Sequence, residues 1–302
     1  MTAPSLTLHT DTSRHRAILM MAGAMGCFVV NDALTKYVSQ SVPSAQLIFL
    51  RGTMTVAMVL LLARQQGATR RLRDALHPPV LWRSMADACG TVMYLFSLFH
   101  LPLGNATAIN LAAPLFMTAF AVLFLRERAS AVRWACLVLG FAGVLCVVQP
   151  AGDGFNAWAL LCLAGTLLHA LRDLLTRRLD PAIPSLLIAL STALALTLLA
   201  GLLSLLEGWQ PIAWRDLGLL ALAAGFLVAA YLLLIRCLRL GEISLTAPFR
   251  YSALLYAVLL GYLVWGDVPN GWAWAGIALL VASGLAMVHS ERGPRTPAMP
   301  PR

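Results

Sequence analysis

The constraint that dominates this chain is the placement of its charges. Apolar runs of roughly twenty residues, each long enough to cross a bilayer as a helix, follow one another almost end to end, and most Lys and Arg fall in the gaps between them. Ten such runs lie at about 16–37, 44–63, 80–99, 104–125, 130–149, 157–178, 184–206, 214–236, 243–264 and 271–289. The spacing predicts an all-α integral membrane protein. Composition agrees: 60% of the residues are hydrophobic and 12% charged, against about 25% charged in a soluble domain. A net charge of +9 would suggest nucleic acid in a soluble protein. Here the excess sits in loops between spans, so no nucleic-acid partner is expected.

Loop charge fixes an expected orientation. With the N-terminus inside, sixteen Arg residues fall on the inner side, among them Arg14, Arg16, Arg64, Arg126, Arg178 and Arg236, whereas the outer gaps hold only Arg215. That asymmetry places both termini in the cytoplasm and the protein in the inner (plasma) membrane. Residues 1–15 read as a short tail and 290–302 as a disordered one, rich in Pro and Arg. Cys27, Cys89, Cys136, Cys146, Cys162 and Cys237 all lie inside apolar runs with no CxxC spacing. They read as small hydrophobes rather than disulfides or metal ligands.

The two halves echo each other. Asp32-Ala-Leu-Thr35-Lys36 matches Asp173-Leu-Leu-Thr176-Arg177, and Val42-Pro43-Ser44 matches Ile183-Pro184-Ser185. Leu103-Gly104-Asn105 matches Leu240-Gly241-Glu242, and Glu127 has a rough counterpart in Asp267. Each half, 16–149 and 157–289, holds five runs. Five is odd, so the second half is expected upside down relative to the first, which is a transporter architecture.

The segments Leu103-Gly104-Asn105-Ala106-Thr107-Ala108, Pro114-Leu115-Phe116 and Phe124-Leu125-Arg126-Glu127 resemble the fourth span of the EamA family, of the drug/metabolite transporter (DMT) superfamily. Arg51 stands where that family often has an arginine. Ala247-Pro248-Phe249-Arg250-Tyr251 and Gly261-Tyr262-Leu263-Val264-Trp265-Gly266-Asp267 are similar to its second repeat. The resemblance implies ten helices in two inverted five-helix repeats around a central cavity, and a transporter rather than an enzyme. It implies no cofactor and does not name the cargo.

A short set of charges lies within the runs: Lys36, Arg51, Arg83, Arg172 and Arg250, with Asp32, Asp87 and Asp173. Each charge near a span centre costs at least ~2.5–3.5 kcal/mol. Lys36 and Arg83 lie close enough to span ends to snorkel. Depth along the runs suggests two gates with possible proton-coupling roles: Asp32 with Arg51 or Lys36 outside, and Asp173 or Asp87 with Arg250 or Arg83 inside. Static pairing is the alternative, and Arg83 and Asp87 share a helix face. Five cations against three anions favour a cargo with a carboxylate or phosphate, or a zwitterion, with Arg250 or Arg172 as anchor. His169, Tyr94, Asn110 and Tyr251 are further candidates for lining the cavity, although each also suits helix packing. Pro114 is expected to kink its span, and Gly23, Gly26, Gly140 and Gly143 to permit close packing.

The resulting expectation is a secondary carrier for a small polar metabolite such as an amino acid or related carboxylate. Export of drugs or cationic metabolites is the runner-up. There is no P-loop, HExxH or GxSxG motif, which leaves little for an ATP-driven pump or an enzyme, and no filter segment for a channel. Proton coupling and a homodimer stay open.

Overall fold

The computed structural model describes residues 5–125, 131–149, 156–176, 178–180, 182–240 and 247–290. The protein is all-α. Its helices are α1 (Ser5–Val38), α2 (Ser44–Gln65), α3 (Pro78–His100), α4 (Leu103–Asn110), α5 (Ala113–Leu125), α6 (Ala131–Val148), α7 (Ala157–Thr176), α8 (Ser185–Glu207), α9 (Trp214–Leu240), α10 (Ser252–Trp265) and α11 (Gly271–Ser290). Two 3-10 segments, Ala68–Leu76 and Ala247–Tyr251, precede α3 and α10.

Among the described residues, six stretches are long and apolar enough to cross a membrane: His15–Val38, Ser44–Gln65, Leu103–Phe120, Ala157–Thr176, Ser185–Glu207 and Trp214–Cys237. Three shorter apolar helices accompany them, at Trp134–Val148, Phe249–Trp265 and Gly271–Met287. The remaining expected run is α3, whose apolar character is diluted by Arg83 and Asp87.

The distribution of polarity is the reverse of that in a soluble protein. Leu198, Leu202 and Leu206 on α8, and Leu255, Leu259 and Leu263 on α10, form exposed stripes at four-residue spacing. Asn31, Lys36, Gln46, Arg51, Asp87 and His169 are buried. Apolar outside and charged inside suits a hydrocarbon surround. The protein is therefore an integral, multi-pass membrane protein.

Three details depart from the sequence-based spans or refine them. First, α1 begins at Ser5, within the expected tail. No Pro or Gly stands between Ser5 and the apolar run, so a formed helix extends at little cost. Second, the fourth run is broken between α4 and α5. Pro114 has no N–H to donate to the Asn110 carbonyl, and a turn at Leu111–Ala112 takes up the mismatch, closed by Ala112 N–H donating to Ile109 O. Third, the ninth run opens as the 3-10 segment Ala247–Tyr251. The matches on Arg177, Gly241, Glu242 and Glu127, and the reading of the C-terminal tail, lie outside the described residues.

Helix pairing sets the interior. α1 packs along α9, and α3 along α7. α2 lies against α8, and α6 against α11. α3 also meets α8, and α2 meets α9; α7 meets α5, and α1 meets α10. α4 seats on α10. The α3–α7 approach is unusually close because glycines face each other. A Cβ built on Gly165 would lie 2.8 Å from the Gly90 carbonyl oxygen and 3.1 Å from the Tyr94 nitrogen, and one on Gly90 would lie 3.0 Å from the Gly165 oxygen. Gly143 and Gly276 meet in the same way between α6 and α11. Gly23 and Gly26 make only ordinary contacts, with nearest atoms at 3.6 and 3.5 Å.

Candidate functional site

The close contact of α3 and α7 brings four charged residues and a histidine to one interface. Asp87 on α3 accepts a hydrogen bond from Arg172 Nη1 on α7 at 2.8 Å. It also pairs with Arg83, one turn earlier on its own helix, at 3.0 Å. Arg172 turns its Nε to Asp173 Oδ1 at 2.9 Å. Arg83 reaches further, donating through Nε to Thr176 Oγ1 at 3.2 Å and through Nη1 to Thr192 Oγ1 on α8. His169 stands one turn before Asp173, with its Nε2 3.9 Å from Asp87 and 3.4 Å from Thr91 Oγ1. Its Nδ1 lies 2.9 Å from Asn110 Oδ1, at the C-terminal end of α4 where the span breaks.

A second group joins α1, α2 and α3. Tyr94 donates its hydroxyl to Asp32 Oδ2 at 2.8 Å. Asn31 donates to Asp32 Oδ1 at 2.9 Å and accepts from Arg51 Nη1 at 2.9 Å. The Tyr94 and His169 rings are neighbours, with centroids 6.3 Å apart. The two groups thus lie side by side across the interior from α2 to α8 and meet at that ring contact.

Three expected pairings are replaced. Asp32 and Arg51 are not in direct ionic contact, because Asn31 stands between them. Lys36 turns away from Asp32 towards the end of its helix. Its Nζ donates to the Leu101 carbonyl between α3 and α4, lies 3.9 Å from Asp267 and sits 5.1 Å from the Trp265 ring centroid. Arg250 makes no ion pair with Asp87 or Asp173: it is exposed in the 3-10 segment, and Asp87 is already occupied by Arg83 and Arg172. Tyr251 packs against Gly284 on α11, outside the network.

Two residues that sequence reasoning passed over belong here. Asn31 precedes Asp32 as Arg172 precedes Asp173, so the repeat marked it. Tyr231 on α9 stands ten residues before Gly241, as Tyr94 stands ten before Gly104. Its ring meets Phe28 edge-on at 5.2 Å. It is within electrostatic reach of Arg51, Arg83, Asp87 and Arg172, and is 38% exposed. Tyr231 thus fronts the network from the α9 side.

Two cavities lie elsewhere, one lined by Pro102, Asn105, Asn156 and Asn270, the other an apolar slot between α5 and α6. No group of three or more His, Cys, Asp or Glu suited to a metal ion occurs among the described residues.

Comparison with known proteins is consistent with this architecture. The model of the EamA-like transporter family matches twice, at residues 15–149 and 156–288. The chain is similar to the pseudopaline exporter CntI of Pseudomonas aeruginosa, at 27% identity over 91% of this chain and 97% of that protein. It is 31% identical to a riboflavin transporter of Rhizobium johnstonii over 72% of each chain. It is 23% identical to an S-adenosylmethionine uptake transporter of Rickettsia conorii over 87% of this chain and 88% of that one. A protein of known crystal structure shares the fold with a TM-score of 0.65 at 21% identity, over 93% of this chain and 99% of that chain.

Proposed function

The chain belongs to the EamA-like transporter family, and on that premise we propose that it carries a small acidic or zwitterionic metabolite between two inverted five-helix repeats by alternating access. Family membership makes it a secondary transporter of a small molecule across a lipid bilayer. The cargoes named for its relatives are pseudopaline, riboflavin and S-adenosylmethionine. They differ from one another, so the cargo is read from this chain's own charges.

The carrying observation is the buried polar network where the halves meet. Ionised groups at that depth are expensive, and a carrier needs them there. The repeats are residues 16–149 and 157–289, flanked by tails 1–15 and 290–302. Ten crossings follow when α3, α6, the 247–265 segment and α11 are counted with the six long spans. Helix pairing supports the inverted arrangement. Exchanging each span with the one five later turns the α1–α9 contact into α7–α3, α2–α9 into α8–α3, and α1–α10 into α7–α5. It leaves α2–α8, α6–α11 and α4–α10 unchanged. Pro43 and Pro184 also precede α2 and α8 in the same extended conformation, with ψ of 139° and 130°.

The loop charges orient the α1–α2 turn outwards, with both termini in the cytoplasm. On that side α4 is seated on α10, and Lys36 links α1 to Asp267 and to the Leu101 carbonyl. At the other end Arg250 is exposed. This is the arrangement of a carrier closed to the outside, with the Lys36–Asp267 contact as an outer latch. Substituting Asp267→Asn should favour the outward-open state. A cysteine replacing Asn105, in a background with the native cysteines removed, should then react several-fold faster with a membrane-impermeant maleimide. The swap Lys36→Asp with Asp267→Lys should slow it again. Unchanged labelling in Asp267→Asn would remove the latch.

Purified protein in liposomes should move a labelled solute saturably and without nucleotide. Flux that rises linearly with concentration would mark a channel instead, and formation of a new product would mark an enzyme.

A further inference from the structure

We propose that the connection between α2 and α3 is a seat for an anionic phospholipid, with Arg64 and Arg73 on its phosphate and Leu72, Leu76 and Trp82 against its glycerol and upper acyl region. The proposal does not depend on the cargo or on the carrier mechanism. Position carries the first part of it. Gly67, at a φ of 70°, ends α2 and turns the chain, its N–H donating to the Arg64 carbonyl. The 3-10 segment Ala68–Leu76 that follows packs back against α2 and against α8. Arg71 pins it there. Its Nη1 donates to the Ala182 carbonyl, just before α8 begins, at 2.9 Å, and its Nη2 pairs with Asp74 at 2.7 Å. Both α2 and α8 are long and apolar enough to cross a membrane, so the segment lies where two spans leave the hydrocarbon.

Two kinds of side chain stand exposed on this connection. Arg64 and Arg73 are exposed and have no carboxylate partner among the described residues. Asp74 is the one acidic residue between Arg64 and Arg83, and Arg71 already holds it. Leu72, Leu76, Leu81 and Trp82 are exposed as well, Leu76 by 67% and Trp82 by 72%. Leucine is stabilised by contact with hydrocarbon, and tryptophan at the level of the lipid headgroups. A guanidinium is stabilised by a phosphate, which it can grip through two parallel N–H donors. A phospholipid offers both surroundings in one molecule, an anionic phosphate joined to acyl chains. A soluble acidic partner would meet the arginines and leave Leu76 and Trp82 in water. Orientation in the membrane asks for cations in this connection, and not for exposed leucine and tryptophan beside them. Nor does the helical framework need the cations. The corresponding connection between α8 and α9, residues 208–213, carries no charge and is tied down by the paired hydrogen bonds of Gln46 and Gln210.

The test follows the melting temperature of the full chain in detergent with three probes. These are phosphatidylglycerol, phosphatidylcholine with the same acyl chains, and glycerol 3-phosphate, which has the anion without the chains. A ligand that binds the folded state raises the melting point. Phosphatidylglycerol should stabilise the protein more than either of the others, and its advantage should shrink as salt is raised. Each arginine beside an anionic lipid surface is worth about fivefold in affinity. Arg64→Gln combined with Arg73→Gln should therefore weaken phosphatidylglycerol binding at least about tenfold. Trp82→Ala should weaken it too, and Arg215→Gln, at the opposite end of the helices, should not change it. If the double variant fails to fold, the three probes and the salt series on the wild type still decide. The seat is overturned if phosphatidylcholine stabilises as well as phosphatidylglycerol. It is overturned equally if glycerol 3-phosphate does so, which would mark a site for a free anion. Folded double variant or Trp82→Ala protein that binds phosphatidylglycerol like the wild type would also overturn it.

Discussion

Replacing Asp87 with Asn should abolish transport and lower the melting temperature more than any other single change within the network. Asp87 is 3% exposed and neutralises Arg83 and Arg172 together. The amide keeps the shape and removes the charge, leaving two guanidinium groups to face each other with only Asp173 beside them. Breaking a buried pair from one side costs about 3–5 kcal/mol, because the remaining charge is stranded. That is a large part of the ~5–15 kcal/mol that holds an ordinary domain together. The double substitution Asp87→Asn with Arg83→Gln removes one stranded cation and leaves Arg172 with Asp173. It should melt above the single variant, even though transport stays impaired. An Asp87→Asn protein as stable and as active as the wild type would show that the charges do not depend on one another.

The second large effect is steric. Gly165→Val should yield protein that is poorly monodisperse on detergent chromatography, inactive, and destabilised by about 1–3 kcal/mol or more, the usual cost of overpacking. A Cβ at this position meets the Gly90 carbonyl oxygen and the Tyr94 backbone nitrogen, which cannot rotate out of the way. α3 and α7 must then separate, and with them Asp87 from Arg172 and Thr91 from His169. Gly23→Ala is the matching control. Its nearest neighbour is a flexible Leu233 methyl at 3.6 Å, so stability and transport should be unchanged. If Gly165→Val behaves like Gly23→Ala, the close approach of these helices does not set the geometry of the network.

Much of the network was legible as a list of residues. Asp32, Arg51, Arg83, Asp87, Arg172, Asp173, His169, Tyr94 and Asn110 stand out because hydrocarbon penalises polar groups wherever they occur along a span. The partnerships were not legible. Lys36 stands one turn from Asp32, so the sequence made them natural partners. The structure sends Lys36 to Asp267 because the end of α1 abuts the α3–α4 junction and the end of α10. Arg250 looked equivalent to Arg172, yet one sits in an exposed 3-10 segment and the other across from Asp87. Asn31 carries no charge, and its one signal in the sequence was its place before Asp32, matching Arg172 before Asp173. Its importance comes from lying between Arg51 and Asp32, a fact of side-chain position.

The amino-acid sequence by itself determined that this chain enters a membrane, that its halves repeat, and which ionisable groups stay at depth. The reason is that transfer of a residue into hydrocarbon is costed one residue at a time and needs no knowledge of neighbours. Only the tertiary structure decided which carboxylate neutralises which cation. Those pairings depend on how closely two helices approach. That distance is set by a missing side chain at Gly90 and Gly165, far apart in the chain and adjacent in space.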